Sequence, residues 1–142
     1  MVPVELLPWP HNPFKCGLRG QLLQMYPDFE QLEDAERQHA FQQFISTRDA
    51  ADFVACSYHD GEQPRAAAVA AQLLNDGVDC ESRWDVADAL PNERPEFITM
   101  VCDFFSHAAI RWDGQSSQLS NGQHRVCALK VAMVPTCVIF SS

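Results

Sequence analysis

An α+β domain is the fold class this sequence predicts, on three observations. Short apolar runs stand at both ends of the chain, and segments with apolar residues at helical spacing fill the space between them. The third is size: 142 residues, 46% hydrophobic and 20% charged, suffice for one core. A single domain over residues 1–142 is expected, with no internal repeat, no low-complexity tract and no dividing linker.

Val2-Pro-Val-Glu-Leu-Leu7 is apolar and partly alternating and stops at Pro8, Pro10 and Pro13. It reads as a strand running into a rigid loop that contains His11-Asn12-Pro13. Gln21 to Tyr26 reads as a helical turn ended by Pro27. Leu32, Ala35, Ala40, Phe41, Phe44 and Ile45 fall near one face of a helix whose outer face is Glu33, Asp34, Glu36 and Arg37. Ala51 to Ser57 is expected to be a strand, followed by a turn around Asp60-Gly61 and an Ala-rich helix that Pro64 starts and Gly77 stops. Val78 to Trp84 is expected to be extended. This order also suits one βαβ unit, a second arrangement for the middle of the chain.

Pro95 is placed to open a helix, because a first-turn proline loses no internal hydrogen bond, and Phe97, Met100, Val101, Phe104 and Phe105 make its apolar stripe. Ile110-Arg-Trp112, a turn at Asp113-Gly114 and Gln118-Leu-Ser120 read as a hairpin. A helix from Gln123 to about Met133 follows. Pro135 breaks it, and Thr136 to Phe140 is a β-branched run suited to a buried closing strand. Met133 stands where a helix-ending glycine is usual.

Ten Lys and Arg against 19 Asp and Glu give a net charge of −9, which repels nucleic acid and anionic membrane surfaces, so neither is an expected partner. No apolar run approaches the roughly 20 residues that span a bilayer, and Met1 to Trp9 lacks the features of a secretory signal; the cytoplasm is the expected location. The six cysteines include no CxxC pair, and the pair His124 and Cys127 alone makes no zinc framework. Buried reduced thiols are expected, with neither zinc nor haem. His11, His39, His59 and His107 read as solvated, and the three tryptophans and Phe97 to Phe105 as core. Asp79, Glu81, Asp85 and Asp88 around Trp84 read as a solvated loop, the alternative being a Mg²⁺ site beside a nucleotide.

The segment that carries chemistry is Leu119-Ser-Asn-Gly-Gln-His-Arg-Val-Cys-Ala128, in which a strand enters a glycine turn and a basic pair opens a helix. The first amides of a helix lack internal partners and sit at the positive end of its dipole. Gly122 lets them approach a phosphate unobstructed, Arg125 adds a planar fork for phosphate oxygens, and His124 offers a donor or a proton shuttle. Asn12 can help to shape the same pocket.

Asn121-Gly-Gln-His-Arg125, followed by Ala128 and Val134-Pro135, resembles the Gly-x-x-Arg turn of the ParB/sulfiredoxin-like superfamily, in its Gly-Gln-His-Arg variant. Val4-Glu-Leu-Leu-Pro8 leading to Asn12-Pro13 is similar to that family's first strand and Asn-Pro-Arg box, with Phe14 where arginine is usual. The likeness covers about 50 residues at the two ends by the same motif reading, and leaves residues 15–94 as a mostly helical, lineage-specific insertion. It implies a small mixed sheet with packed helices that binds ATP, CTP or a phosphorylated small molecule, with Mg²⁺ accompanying a nucleotide. The binding residues implied are Asn12, Asn121, Gly122, Gln123, His124 and Arg125, with His124 catalytic in a nucleotide hydrolase or phosphotransferase.

Two departures narrow the implication. Sulfiredoxins place a reactive cysteine directly before the His-Arg pair, where this chain has Gln123, so that reductase chemistry is not expected. ParB partition proteins continue into a helix-turn-helix, whereas this sequence stops at Ser142, so centromere binding is not expected. The other function these departures allow is a non-catalytic protein-interaction module that keeps the fold.

Overall fold

The structure is a computed structural model and describes residues 1–13, 15–59 and 61–141. Phe14, at the arginine position of the Asn-Pro box, and Asp60, in the expected turn before the Ala-rich helix, lie outside the described residues, as does Ser142. The described residues form seven helices: α1 Arg19–Met25, α2 Asp34–Ser46, α3 Ala50–Phe53, α4 Glu62–Asn75, α5 Arg83–Ala89, α6 Pro95–Asp103 and α7 Gln123–Val131. Two short strands, β1 Val2–Pro3 and β2 Thr136–Cys137, pair antiparallel with Val2 opposite Cys137 and Pro3 opposite Thr136. The class is mixed and dominated by helix.

The sheet is smaller than the sequence predicts, for a reason of donors. Proline has no N–H to give to a ladder. Pro3 and Pro135 flank the pairing, Val4 N–H reaches Pro135 O at 3.0 Å, and the chain then coils into a 3₁₀ turn, Val4–Leu6, in place of the expected strand to Leu7. The closing strand is correspondingly short, although Phe140 returns to the sheet direction by bridging Arg111 in parallel. Arg111 also bridges Asn121 in antiparallel fashion, which is what remains of the expected hairpin.

Two other expected extended segments are helical, because local capping overrides the apolar pattern. Asp49 and Asp52 exchange side-chain to backbone bonds at 3.0 Å, a reciprocal cap that turns Ala50–Phe53 into helix where a strand from Ala51 was expected. Ser82 accepts the Asp85 amide at 3.3 Å and starts α5 inside the stretch expected to be extended. The βαβ arrangement therefore fails: residues 15–94 contain α1 to α5 and no strand among the described residues. Trp84, expected in the core, is 82% exposed on α5.

Helix ends were more legible. Pro95 occupies the first turn of α6, and Gly77, at φ +77°, ends α4 while Val78 N–H returns to Leu73 O at 3.1 Å. Met133 performs the same service for α7 at φ +59°, its amide reaching Lys130 O at 3.1 Å and that of Val134 reaching Leu129 O at 3.0 Å.

Side chains pack into two apolar clusters. The larger joins α4, α5, α6, β2 and the first turn through Val4, Ala67, Phe97, Val101, Phe104 and Ile110, all essentially inaccessible. The smaller joins α1 and α2 through Leu18, Leu22, Phe29, Phe41 and Phe44. Helix α7 lies between them, giving Val126 and Leu129 to the first and Cys127 to the second.

A left-handed backbone costs a residue with a Cβ roughly 1–2 kcal/mol, and the Met133 side chain recovers little of this, being 86% exposed. Met133→Gly is expected to stabilise the domain by about 1 kcal/mol, read as a raised urea midpoint with unchanged slope. A lowered midpoint would show that Met133 makes a contact worth more than the strain.

Candidate functional site

The entrance to α7 is built by backbone pairing. Arg111 N–H donates to Asn121 O at 3.2 Å and Ser120 N–H to Arg111 O at 3.1 Å, which delivers Asn121 and Gly122 to the helix start. The Asn121 amide nitrogen donates to Ala109 O at 2.8 Å and His107 O at 3.2 Å, so it braces the preceding turn. Gly122 sits at φ +88°, and a Cβ there would lie 2.9 Å from Ile110 Cγ1 and 3.0 Å from its Cα. Both conformation and space require glycine. Among the described residues no side chain caps α7, which leaves its first amides at the positive end of the dipole.

The three residues after Gly122 diverge in task. Gln123 Oε1 accepts the amides of His11 and Asn12, both at 3.0 Å, and clamps the proline-rich loop to the helix. His124 Nε2 accepts the Lys15 amide at 3.2 Å, and its ring stacks on Tyr58 with centroids 5.0 Å apart. Arg125 Nη1 donates to Ala108 O at 2.6 Å, and its guanidinium lies 5.1 Å from the Phe104 ring centroid. Arg125 is half-buried, and no carboxylate lies within 4.0 Å of it among the described residues. Burial weakens its hold on its proton, with Asp103 and Tyr58 acting the other way.

These residues line one open cavity of about 350 Å³. Asn12, Asn121, Gly122, Gln123, His124 and Arg125, all named from the sequence, are in its wall, together with Lys15, Tyr58, Ala108 and Ser120, which were not. Lys15 brings a second cation. Periodicity carries no signal for Lys15, in a turn, or Tyr58, in the three-residue 3₁₀ turn Ser57–His59, because only tertiary packing brings them here.

His124 departs from the role expected of it. Its Nε2 is occupied, which leaves Nδ1 to carry the proton, and burial with the nearby Lys15 charge lowers its pKa to about 4. Without ligand the ring is neutral throughout pH 6–8, so it meets the cavity as an uncharged hydrogen-bonding group. Its evident work is to hold Lys15 and Tyr58 at the cavity.

Mg²⁺ fits the wall poorly, because a hard cation needs carboxylate oxygens and none lines this cavity among the described residues. Asp79, Glu81, Asp85 and Asp88 are not in the wall either. Among the described residues no three His, Cys, Asp or Glu side chains gather closely enough to hold a metal ion.

All six cysteines are free thiols, five of them buried. Cys16, Cys56 and Cys127 belong to the smaller cluster beside the cavity, with Cys127 Sγ 3.6 Å from His59 Nε2 and Gly17 N–H donating to Cys56 Sγ at 3.4 Å. Burial raises the Cys16 thiol to about 11, so it stays protonated. His59, expected in solvent, is half-buried and stacks on Phe53 at 4.4 Å; the three-residue step from Cys56 to His59 is the sequence signal for this grouping. His11 is half-buried too, its Nδ1 without a hydrogen-bond partner among the described residues.

Comparison with protein-family models, curated proteins and solved structures finds no match for the chain. Fold and cavity together define a helix-dominated α+β domain with a cation-lined opening at a helix start.

Gly122→Ala is expected to cost about 2–4 kcal/mol, the left-handed strain added to overlap with Ile110, measurable by chemical denaturation. A cost under 0.5 kcal/mol would deny that the turn depends on glycine. His124 has a folded pKa below its unfolded value of about 6.5, so the unfolded state takes up its proton first and stability falls as pH drops from about 6.5 to 4. In His124→Gln that loss should be shallower over the same window, relative to the variant's own stability at pH 8. Parallel melting-temperature profiles would refute the shifted pKa.

Proposed function

We propose that this chain binds a phosphate-bearing ligand, a nucleotide such as ATP or CTP before others, at the start of α7, as a domain of the ParB/sulfiredoxin-like kind. One observation carries the reading: among the described residues Arg125 is a half-buried cation without an ion-pair partner within 4.0 Å, and it lines a cavity that also receives the start of α7 and Lys15. A charge partly withdrawn from water is costly, the more distant Asp103 offsets only part of this, and an anion in the cavity would lower the cost further. The family resemblance is supported by the order bridge, left-handed glycine, helix, Val134-Pro135 and short strand Thr136–Cys137 around Arg125.

Binding without turnover is the form the geometry favours. No carboxylate in the cavity wall can act as a general base among the described residues, and His124 is neutral with one nitrogen engaged. Any Mg²⁺ would arrive with the ligand's phosphates, neutralising their charge.

Nucleotide at a hundredfold excess over its dissociation constant stabilises a domain by about 2.7 kcal/mol. ATP and CTP at millimolar concentration, with and without Mg²⁺, are therefore expected to raise the melting temperature saturably in the native protein, and Arg125→Ala to remove the effect. No shift with any phosphate compound would count against the reading and favour the interaction module.

A further inference from the structure

Beside the cavity at α7, two segments distant in sequence meet at their cysteines. Gly17 N–H donates to Cys56 Sγ at 3.4 Å across 39 positions of chain, and Leu18 N–H donates to Cys16 Sγ, also at 3.4 Å. The backbones touch: a Cβ on Gly17 would stand 2.1 Å from Ala55 O and 2.7 Å from Cys56 Cα, so only glycine permits the approach. The two thiols lie within hydrogen-bonding reach of each other. Cys127, the third thiol of this cluster, keeps its Sγ 3.6 Å from His59 Nε2 instead.

A disulfide forms between cysteines whose Cα atoms approach to roughly 4.4–6.8 Å with the sulfurs turned toward each other. The contact of Gly17 with Cys56 supplies the approach, and the amide bonds to both sulfurs supply the turn. Both cysteines are buried, yet Lys15, Gly17, Ala55 and Ser57, the residues on either side of each, are exposed. The pair thus lies one residue beneath the surface, where local opening admits a small reagent. Burial holds Cys16 protonated at ordinary pH, so its exchange is slow, unlike that of a catalytic thiol.

We infer that Cys16 and Cys56 are a reversible redox pair, closed by thiol–disulfide exchange with a small-molecule disulfide, that staples α1 to α3 into one loop and ties the segment bearing Lys15 to the turn bearing Tyr58. One cysteine, having given its proton to solvent, attacks the S–S bond of the reagent; a mixed disulfide forms and one small thiolate leaves and is protonated. The second cysteine, deprotonated in turn, attacks the protein-side sulfur of that mixed disulfide and releases the second small thiol. The protein has lost two electrons and two protons, and the reagent has gained both. Lys15 adjoins Cys16 and Tyr58 follows Cys56 by two residues, and both contact His124, so the bond braces one wall of the cavity. Closure needs no ligand and stands apart from the phosphate reading.

The full chain, reduced and then held in excess 2-hydroxyethyl disulfide at about pH 8, is expected to lose about 2 Da and two of its six alkylatable thiols, with peptide mapping placing the bond at Cys16 and Cys56. Closure should raise the melting temperature by roughly 5–10 °C, reversibly with dithiothreitol, and slow hydrogen exchange in the peptides bearing Lys15 and Tyr58. Cys16→Ala and Cys56→Ala should each abolish the rise, and Cys127→Ala should keep it. The native chain, reduced against oxidised, decides the matter even where a variant does not fold. A chain that stays reduced, that stops at the mixed disulfide, or whose bond maps to Cys127 overturns the pair. A bond at Cys16 and Cys56 that leaves melting temperature and exchange at Lys15 and Tyr58 unchanged overturns the staple.

Discussion

The seating of α7 between two apolar clusters is the constraint on which the rest of the structure depends. A nine-residue helix is too short to persist alone in water, and its stability here comes from tertiary packing: Val126 and Leu129 enter one cluster, Cys127 the other. Two polar ties then fix the N-terminal segment to it. Lys130 Nζ donates to Val4 O at 3.0 Å near one end, and Gln123 holds the amides of His11 and Asn12 at the other. Because both clusters and the first thirteen residues meet on this helix, the orientation of its first turn is set by contacts on every side except the one that opens to solvent.

That opening runs against the charge of the molecule. The chain carries −9 overall, yet the cavity at α7 is walled by a guanidinium, an ammonium-bearing residue and helix amides, and by no carboxylate among the described residues. Acidic residues are used elsewhere, as in the exposed group where Arg65 meets Glu62 at 2.9 Å and Glu93 at 2.6 Å. The cations of this wall are thus set apart from the acidic residues that dominate the rest of the chain.

The turn Asn121 to Arg125 was legible because its signal is local: only glycine accepts φ +88° against Ile110. The ends of α4 and α6 were legible on the same ground, since Gly77 and Pro95 act within one turn of where they stand. The extended segments were misread where apolar content was weighed above capping. Asp49 with Asp52, and Ser82 with Asp85, decide helix through single side-chain bonds that composition does not register. The non-local parts were beyond reach: nothing in the neighbourhood of Lys15 or Tyr58 announces His124, more than sixty residues further on by sequence number.

The clamp from Gln123 to His11 and Asn12 has a consequence for how the chain is made. Its partners are 112 and 111 positions apart, and β1 finds β2 across a similar span. During ribosomal synthesis the N-terminal segment emerges first and has nothing to dock on until α7 follows. Helices α1 and α2 pair close in sequence and can form early, whereas α4 packs on α6, α7 and β2, and closure of the ends carries a long loop and a high contact order. The cavity at α7 is thus the last part of the molecule to be assembled, and a nascent or truncated chain would hold most of its helices before it held any site.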